Sequence, residues 1–139
     1  RSEIGQSSAV TCCTHARSPF FRDPVAAQSV ISELRRAHAE GIVSTFSWVV
    51  MPDHLHWLFC LENTTLSKVI QRMKCASANR INVAFDRQGA IWQPGFFDHR
   101  VRTSDDLDRQ ARYMIENPVR AGIVLAAEDY PYWGCVGFR

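Results

Sequence analysis

The sequence predicts an α+β domain whose antiparallel sheet has the ferredoxin-like order strand, helix, strand, strand, helix, strand. Two apolar runs separated by Met-Pro-Asp predict a β-hairpin, and amphipathic runs before and after it predict helices. This order is typical of the split β-α-β arrangement, here followed by an additional C-terminal helix. With 139 residues, 46% of them hydrophobic, residues 1–139 are expected to form one domain.

The first strand is predicted at residues 9–14, and residues 1–8 are expected to be loosely attached to the domain. The first helix is predicted to begin at Asp23-Pro24, because proline favours the first helical position, where no backbone N–H is required. It should end near residue 40, since Gly41 is a favoured C-terminal cap.

The hairpin is predicted to pair residues 42–51 with residues 57–61, and His54 and His56 lie where the second strand begins. Because residues two apart in a strand point to the same face, both imidazoles should leave the sheet together, close enough to bind one metal ion. The opposite face of the second strand should be buried: Leu55, Trp57, Phe59 and Leu61. The same alternation assigns one face of the first strand to Ile42, Phe46, Trp48 and Val50.

The second half of the chain predicts a helix at residues 66–85 and a strand at residues 96–101. A third helix is expected to begin at Ser104, behind a threonine cap and ahead of two acidic residues. It is predicted to end at Asn117-Pro118, because a residue before proline disfavours the helical conformation.

Helical periodicity separates the third helix into an apolar arc and a polar stripe. The arc consists of Leu107, Ala111, Met114 and Ile115. Tyr113 falls outside it, on a stripe with Asp106, Gln110 and Asn117. A surface tyrosine whose ring packs on a neighbour would give the same pattern, so the stripe alone leaves its role open.

Charge and composition narrow the classes of function. The net charge is +2, but residues 68–120 carry 10 Lys and Arg against 6 Asp and Glu, a basic balance that attracts phosphates. Five scattered cysteines form no CxxC pair, so reduced thiols are expected. No apolar run is long enough to span a membrane and no signal peptide is evident, which predicts a cytoplasmic protein.

The histidines and the tyrosine together indicate phosphoryl transfer. Two imidazoles can hold a divalent ion, and a helix packed on that face could supply Asn117 as a third ligand and present Tyr113 beside it. Free phenol is a weak nucleophile with a pKa of about 10. A metal would polarise the phosphate that the phenol attacks. Ordinary hydrogen-bonded strand histidines remain the alternative for an HxH pair taken alone.

Three segments in order carry a family resemblance: MPDHLH at 51–56, IWQPGFFDHRV at 91–101 and YMIENPVRAGIV at 113–124. The sequence resembles the HUH single-tyrosine transposases, and within them the REP-associated tyrosine transposases of bacteria. The tail at residues 129–134 also resembles the ending of that family, so the resemblance covers nearly the whole chain from about residue 8.

The resemblance implies a specific site and reaction. His54 and His56 correspond to the HUH pair, Tyr113 to the nucleophile, and Asn117 to a third metal ligand that is often Gln in relatives. Family members use Mg²⁺ or Mn²⁺ to cut single-stranded DNA near an imperfect hairpin, forming a 5′-phosphotyrosine and a free 3′-hydroxyl. A bacterial, nucleoid-associated monomer or homodimer that binds REP-like hairpins is therefore expected.

Residues around this predicted site are assigned supporting roles. DNA contacts are predicted at basic and aromatic positions: Lys68, Arg72, Lys74, Trp92, Arg100, Arg102, Arg109, Arg112 and Arg120. Trp92, Tyr130, Tyr132 and Trp133 could stack on unpaired bases, with core packing or tail docking as the alternative. Asp98, His99 and Gln110 are predicted to support the site, although Asp98 could instead pair with Arg100 or Arg102.

Two other classes of function compete with a nuclease. One is a domesticated protein of the same fold that binds DNA or RNA hairpins without cutting them. The intact His54, His56 and Tyr113 argue against it, because a protein that only binds hairpins has no need of all three. The other is a ferredoxin-like metal sensor, which leaves Tyr113 and the basic middle of the chain unexplained. A covalent protein–DNA adduct on a denaturing gel would separate all three.

Overall fold

A computed structural model describes residues 5–135 and contains one five-stranded antiparallel sheet. The strands are β1 (Ser7–Cys13), β2 (Val43–Met51), β3 (His54–Leu61), β4 (Phe97–Val101) and β5 (Trp133–Cys135). The helices are α1 (Pro24–Ala39), α2 (Leu66–Ala84) and α3 (Ser104–Arg120). The strand order β4-β1-β3-β2-β5 confirms the predicted ferredoxin-like sheet, with β5 added beside β2.

The sheet separates two hydrophobic cores. Helices α1 and α2 pack together over one face, and the four predicted apolar residues of β3 lie fully buried beneath them: Leu55, Trp57, Phe59 and Leu61. Helix α3 covers part of the other face, where Met114 and Leu58 belong to a smaller core. The predicted apolar arc of α3 is confirmed, because Leu107, Ala111 and Ile115 pack against the same core.

Each helix begins at a side-chain cap. The Asp23 carboxylate accepts a hydrogen bond from the Val25 N–H at 2.8 Å at the start of α1. The hydroxyls of Thr65 and Thr103 accept from backbone N–H groups in the first turns of α2 and α3. These caps satisfy N–H groups that have no partner inside the helix. Gly41 follows α1 with a φ of 71°, the left-handed conformation expected of a glycine cap.

A β-bulge makes the predicted alternation of β2 wrong at Phe46. The register with β3 shifts between Thr45 and Ser47, so one extra residue enters β2 there. Phe46 consequently packs against the α3 core, whereas Trp48 and Val50 belong to the α1–α2 core. The bulge therefore moves one aromatic ring from the predicted face to the other.

The predicted end of α3 is also wrong, because the helix continues through Pro118 to Arg120. A proline in the last turn removes only one intrahelical hydrogen bond. The following turn still closes, with Ala121 N–H donating to Asn117 O at 2.9 Å and Gly122 N–H to Val119 O at 3.0 Å. Arg120 is thereby held on the same helix as Tyr113.

Residues 5–8 are attached more firmly than predicted. The Gly5 N–H donates to Leu61 O at 2.6 Å, the Leu61 N–H donates to Gln6 O at 2.9 Å, and β1 begins at Ser7. Residues 1–4 lie outside the described part of the chain. Within the described part, no helix combines the length and apolar character that a membrane crossing requires.

Candidate active site

The two histidines lie inside β3, at the centre of the sheet, on the face that α3 covers. The strand begins at His54 rather than at the predicted residue 57. His56 is paired with Thr11 of β1 on one side and with Val49 of β2 on the other. The ring centroids of His54 and His56 are 4.8 Å apart, with the rings nearly perpendicular. The predicted placement of both imidazoles on one face is therefore confirmed.

A hydrogen bond to Nδ1 orients each imidazole. Thr11 Oγ1 lies 2.8 Å from His56 Nδ1, and Asp53 Oδ1 lies 2.8 Å from His54 Nδ1. The other carboxylate oxygen of Asp53 accepts from Arg17 Nε at 3.1 Å. With Nδ1 engaged, the Nε2 lone pair of each ring is the atom that can bind a metal, which is the usual effect of such outer hydrogen bonds.

The surroundings keep His56 neutral. Burial lowers the pKa of His56 from the ordinary value to about 4, and the electrostatic influence of His54 and of the Arg120 guanidinium acts in the same direction. A neutral imidazole is the form that coordinates a metal. Burial alone would raise the pKa of Asp53, but the hydrogen bonds from Arg17 and His54 outweigh it, and the net shift is downward.

Tyr113 faces this pair from α3. Its ring centroid lies 6.4 Å from that of His56, and its side chain is exposed rather than part of the core. The next residue, Met114, is buried against the sheet and places Tyr113 at the edge of the helix contact. The Arg120 guanidinium stacks 3.7 Å above the tyrosine ring and donates to the Tyr113 carbonyl at 2.6 Å. A fixed positive charge therefore lies beside the phenol.

A cleft of about 170 Å³ joins the histidine and tyrosine to residues of β1 and β4. It is lined by Ala9, Thr11, His56, Phe97, Asp98, His99, Gln110, Tyr113 and Met114. Of the residues predicted to support the site, His99 and Gln110 meet through Asp106. The carboxylate of Asp106 accepts from His99 Nε2 at 2.8 Å and from Gln110 Nε2 at 3.3 Å.

Asp106 is a residue of the site for which no role was predicted from the sequence. The signal was its position on the polar stripe of α3 that also carries Gln110 and Tyr113. The hydrogen bond from His99 holds the pKa of Asp106 below its ordinary value, so the carboxylate is ionised. Since His99 belongs to β4, this pair links the strand to the first turns of the tyrosine helix.

Two other predicted site residues, Asp98 and Asn117, make no hydrogen bond to the histidine pair within residues 5–135. Asp98 lines the cleft, but it is paired with Val10 of the α1–α2 core, so strand alternation directs its side chain away from the face of His56. Asn117 lies one turn after Tyr113 on the same side of α3 and is half-buried, but within residues 5–135 its amide makes no hydrogen bond to either histidine. In the described chain, no third His, Cys, Asp or Glu lies where it could hold a metal ion together with the pair.

The predicted base-stacking residues are largely buried. Trp92 packs on Phe21 and donates its indole N–H to Ser77 Oγ at 3.0 Å, inside the α1–α2 core. Tyr130 is buried and bonds the Val50 carbonyl, and Trp133 belongs to the other core. Tyr132 is partly buried and packs edge-on against Tyr130. Core packing, the alternative for these aromatics, is the arrangement found.

The predicted basic contacts divide between two faces. Lys68, Arg72 and Lys74 lie on α2, across the sheet from the histidines. Arg72 pairs with Glu40 at 2.9 Å, and Lys74 donates to the backbone carbonyls of Gln93 and Gly95. Arg100 and Arg102 lie on or beside β4, whereas Arg109, Arg112 and Arg120 lie on the tyrosine helix itself. Of this second group, Arg120 contacts Tyr113 at the cleft.

The structure is thus an α+β domain with a histidine pair on the central strand and a tyrosine on the facing helix. The family model described as "Transposase IS200 like" matches residues 6–117, so the chain belongs to the IS200-like transposase family. The resemblance found in the three sequence segments is thereby confirmed.

Two relatives carry the name REP-associated tyrosine transposase. The chain is 29% identical to a putative one of Haemophilus influenzae, over 73% of this chain and 66% of the relative. It is 28% identical to that of Escherichia coli, over 62% of this chain and 50% of the relative. The aligned part of the chain therefore spans just under two thirds of the first relative and half of the second.

Two solved structures share the fold. One is described as the REP-associated tyrosine transposase bound to a REP hairpin; it superposes with a TM-score of 0.78 at 24% identity, over 96% of this chain and 78% of that one. The other is a putative transposase from Deinococcus radiodurans, with a TM-score of 0.58 at 23% identity, over 84% of this chain and 94% of that one.

Breaking the link between His99 and Asp106 is expected to loosen α3. In a His99→Ala variant, amide hydrogen exchange should rise in peptides covering residues 103–120, while α1 and α2 stay protected, because the link is local. Arg109→Ala is the matched control, since Arg109 also bonds Asp106, at 3.1 Å, but from the same helix. Equal exchange of residues 103–120 in His99→Ala and in the unmodified chain would contradict a role for this link.

Proposed function

We propose that the chain is a metal-dependent single-stranded DNA endonuclease and strand transferase that acts through a 5′-phosphotyrosine. The observation that carries the proposal is the placement of Tyr113, whose ring stands 6.4 Å from that of His56 in one cleft. A phenol so placed can reach a phosphate held at the histidines. Tyr130 is buried and Tyr132 is packed against it, so Tyr113 is the nucleophile of choice.

The donor set fits a divalent metal ion. His54 and His56 would hold it through Nε2, and Asn117 would add an amide oxygen from α3. Imidazole suits Mn²⁺ and other transition metals, and an oxygen ligand also suits Mg²⁺. A bound ion would polarise the phosphate and stabilise the negative charge that develops on it.

The protein's own residues supply the covalent chemistry. Tyr113 Oη attacks the phosphorus, and its proton passes to solvent. The bond between phosphorus and the 3′-oxygen breaks, so one strand end leaves as a 3′-hydroxyl after taking up a proton. The 5′-phosphate stays bonded to Tyr113. Attack of a 3′-hydroxyl on this phosphotyrosine reverses the step, rejoins DNA and frees the tyrosine.

Arg120 supports this chemistry from the same helix. Its stacking on Tyr113 holds the ring, and its positive charge lies 3.7 Å from the ring centroid of the proposed nucleophile. An arginine so placed can pair with a phosphate oxygen. Together with the basic balance of residues 68–120, this favours a nucleic-acid substrate.

The proposed substrate is a DNA hairpin with an unpaired flank. The cleft has a volume of about 170 Å³, and an unpaired nucleotide would need less space there than a duplex. A structural relative is described as bound to a REP hairpin, which supports the same class of ligand for this chain. Binding without cleavage remains the competing function, and the experiment below distinguishes the two.

Tyr113→Phe is expected to keep DNA affinity but lose cleavage and the covalent adduct together, because no other group replaces the phenolate. The test uses end-labelled hairpin DNA with Mn²⁺ on a denaturing gel, and Tyr132→Phe is the control. An adduct that persists in Tyr113→Phe would show that another residue is the nucleophile. Hairpin binding with neither cleavage nor adduct in the unmodified protein would support the non-cleaving binder instead.

His56→Ala is expected to lower Mn²⁺ affinity at least tenfold, because it removes one of two imidazole ligands while leaving the other. Titration calorimetry measures this, and the cleavage rate should fall in parallel. His38→Ala is the matched control, since His38 lies on α1 and its Nδ1 accepts from the Thr45 N–H. Unchanged Mn²⁺ binding in His56→Ala would remove the histidine pair from the proposed metal site.

A further inference from the structure

An exposed phenylalanine forms part of the wall of the active-site cleft. Phe97 is 70% exposed, more than any other phenylalanine among residues 5–135. Isolated apolar side chains on a surface are common and need no explanation by themselves. Phe97 differs because it lines the same cleft as His56 and Tyr113.

The register of the sheet places Phe97 on the face of the histidines. Phe97 is paired with Thr11, and Thr11 is paired with His56, so the three form one row across β4, β1 and β3. Directly paired residues share a face, and the hydrogen bond between Thr11 and His56 shows that this is the face of the histidines. Two strand spacings of about 4.8 Å separate the β4 and β3 backbones, so the ring stands roughly 10 Å from the histidine strand.

The chemistry of this ring matches an unpaired nucleobase. A phenyl ring offers an apolar face without hydrogen-bonding groups, so it can stack on any base. The tryptophans of the described chain are not available for this, because Trp57, Trp92 and Trp133 are buried and Trp48 packs against the α1–α2 core on the other face of the sheet. A base inside a duplex has both faces covered by its neighbours. A stacking ring beside the reactive tyrosine would therefore select an unpaired nucleotide at that place.

We propose that Phe97 is the stacking platform for one unpaired base flanking the cleaved phosphate. The inference rests on the proposed function and deepens it, since it locates the feature that distinguishes single-stranded from paired DNA. The base stacks on Phe97 at the β4 wall of the cleft, and its phosphate reaches toward His56 and Tyr113.

The test measures binding alone. A fluorescent DNA hairpin with an unpaired flank is titrated in the Tyr113→Phe background without divalent metal, so that no cleavage intervenes. Phe97→Ala should weaken binding about 5- to 150-fold, the range of one base–aromatic stack. Phe97→Trp should bind at least as tightly as the parent. Phe85→Ala is the matched control, because Phe85 is 42% exposed but caps α2 on the opposite face of the sheet.

An abasic scan of the flank then locates the stacked base. One abasic position should weaken parent binding to the level of Phe97→Ala, and Phe97→Ala should lose nothing further on that DNA. Equal affinity of the parent and Phe97→Ala for the intact hairpin would overturn this inference alone. A parent that binds no single-stranded DNA would overturn both the inference and the proposed function. If the parent dimerises through Phe97 and the Phe97→Ala variant binds DNA with unaltered affinity, the ring packs on a second copy of the chain and the inference is overturned.

Discussion

The strict alternation of side chains along β3 is the constraint on which the molecule depends. The strand has a hydrogen-bonded neighbour on each side, so it cannot shift without breaking two ladders. Its odd-numbered residues from Leu55 to Leu61 fill the core beneath α1 and α2, and the two histidines consequently lie on the opposite face. A slip of one residue would exchange the two sets and bury the imidazoles among apolar side chains. The same pattern thus stabilises the fold and creates the site.

The site combines two imidazoles that are fixed on the sheet with a tyrosine that is carried by a helix. The imidazoles are held by Thr11 and Asp53, both anchored through neighbouring backbone or side-chain contacts, and burial keeps His56 neutral. Tyr113 instead depends on how α3 lies on the sheet, which is determined by its apolar arc and by the link from His99 to Asp106. In the proposed reaction, the contacts of α3 with the sheet would keep the nucleophile aligned while DNA ends exchange beside it.

Sequence periodicity predicted the parts of the structure that are local. The histidine pair follows from strand alternation, and the position of Tyr113 outside the apolar arc follows from helical periodicity. The features that the sequence did not predict depend on contacts between residues that are distant along the chain. The bulge that moves Phe46 depends on the register with β3, and the burial of Trp92 depends on contacts with Phe21 and Ser77. The roles inferred for Asp106 and Phe97 became visible only when β4 was placed beside β1.

The central claim is that Tyr113 becomes covalently joined to DNA, and peptide mapping of the trapped adduct tests it most directly. Trypsin should release residues 113–120, which contain Tyr113 as their sole tyrosine, separately from residues 121–139, which contain Tyr130 and Tyr132. After nuclease trimming of the bound DNA, mass spectrometry should find the nucleotide phosphate on peptide 113–120. The same mass on peptide 121–139, or cleaved DNA with neither peptide modified, would contradict the account.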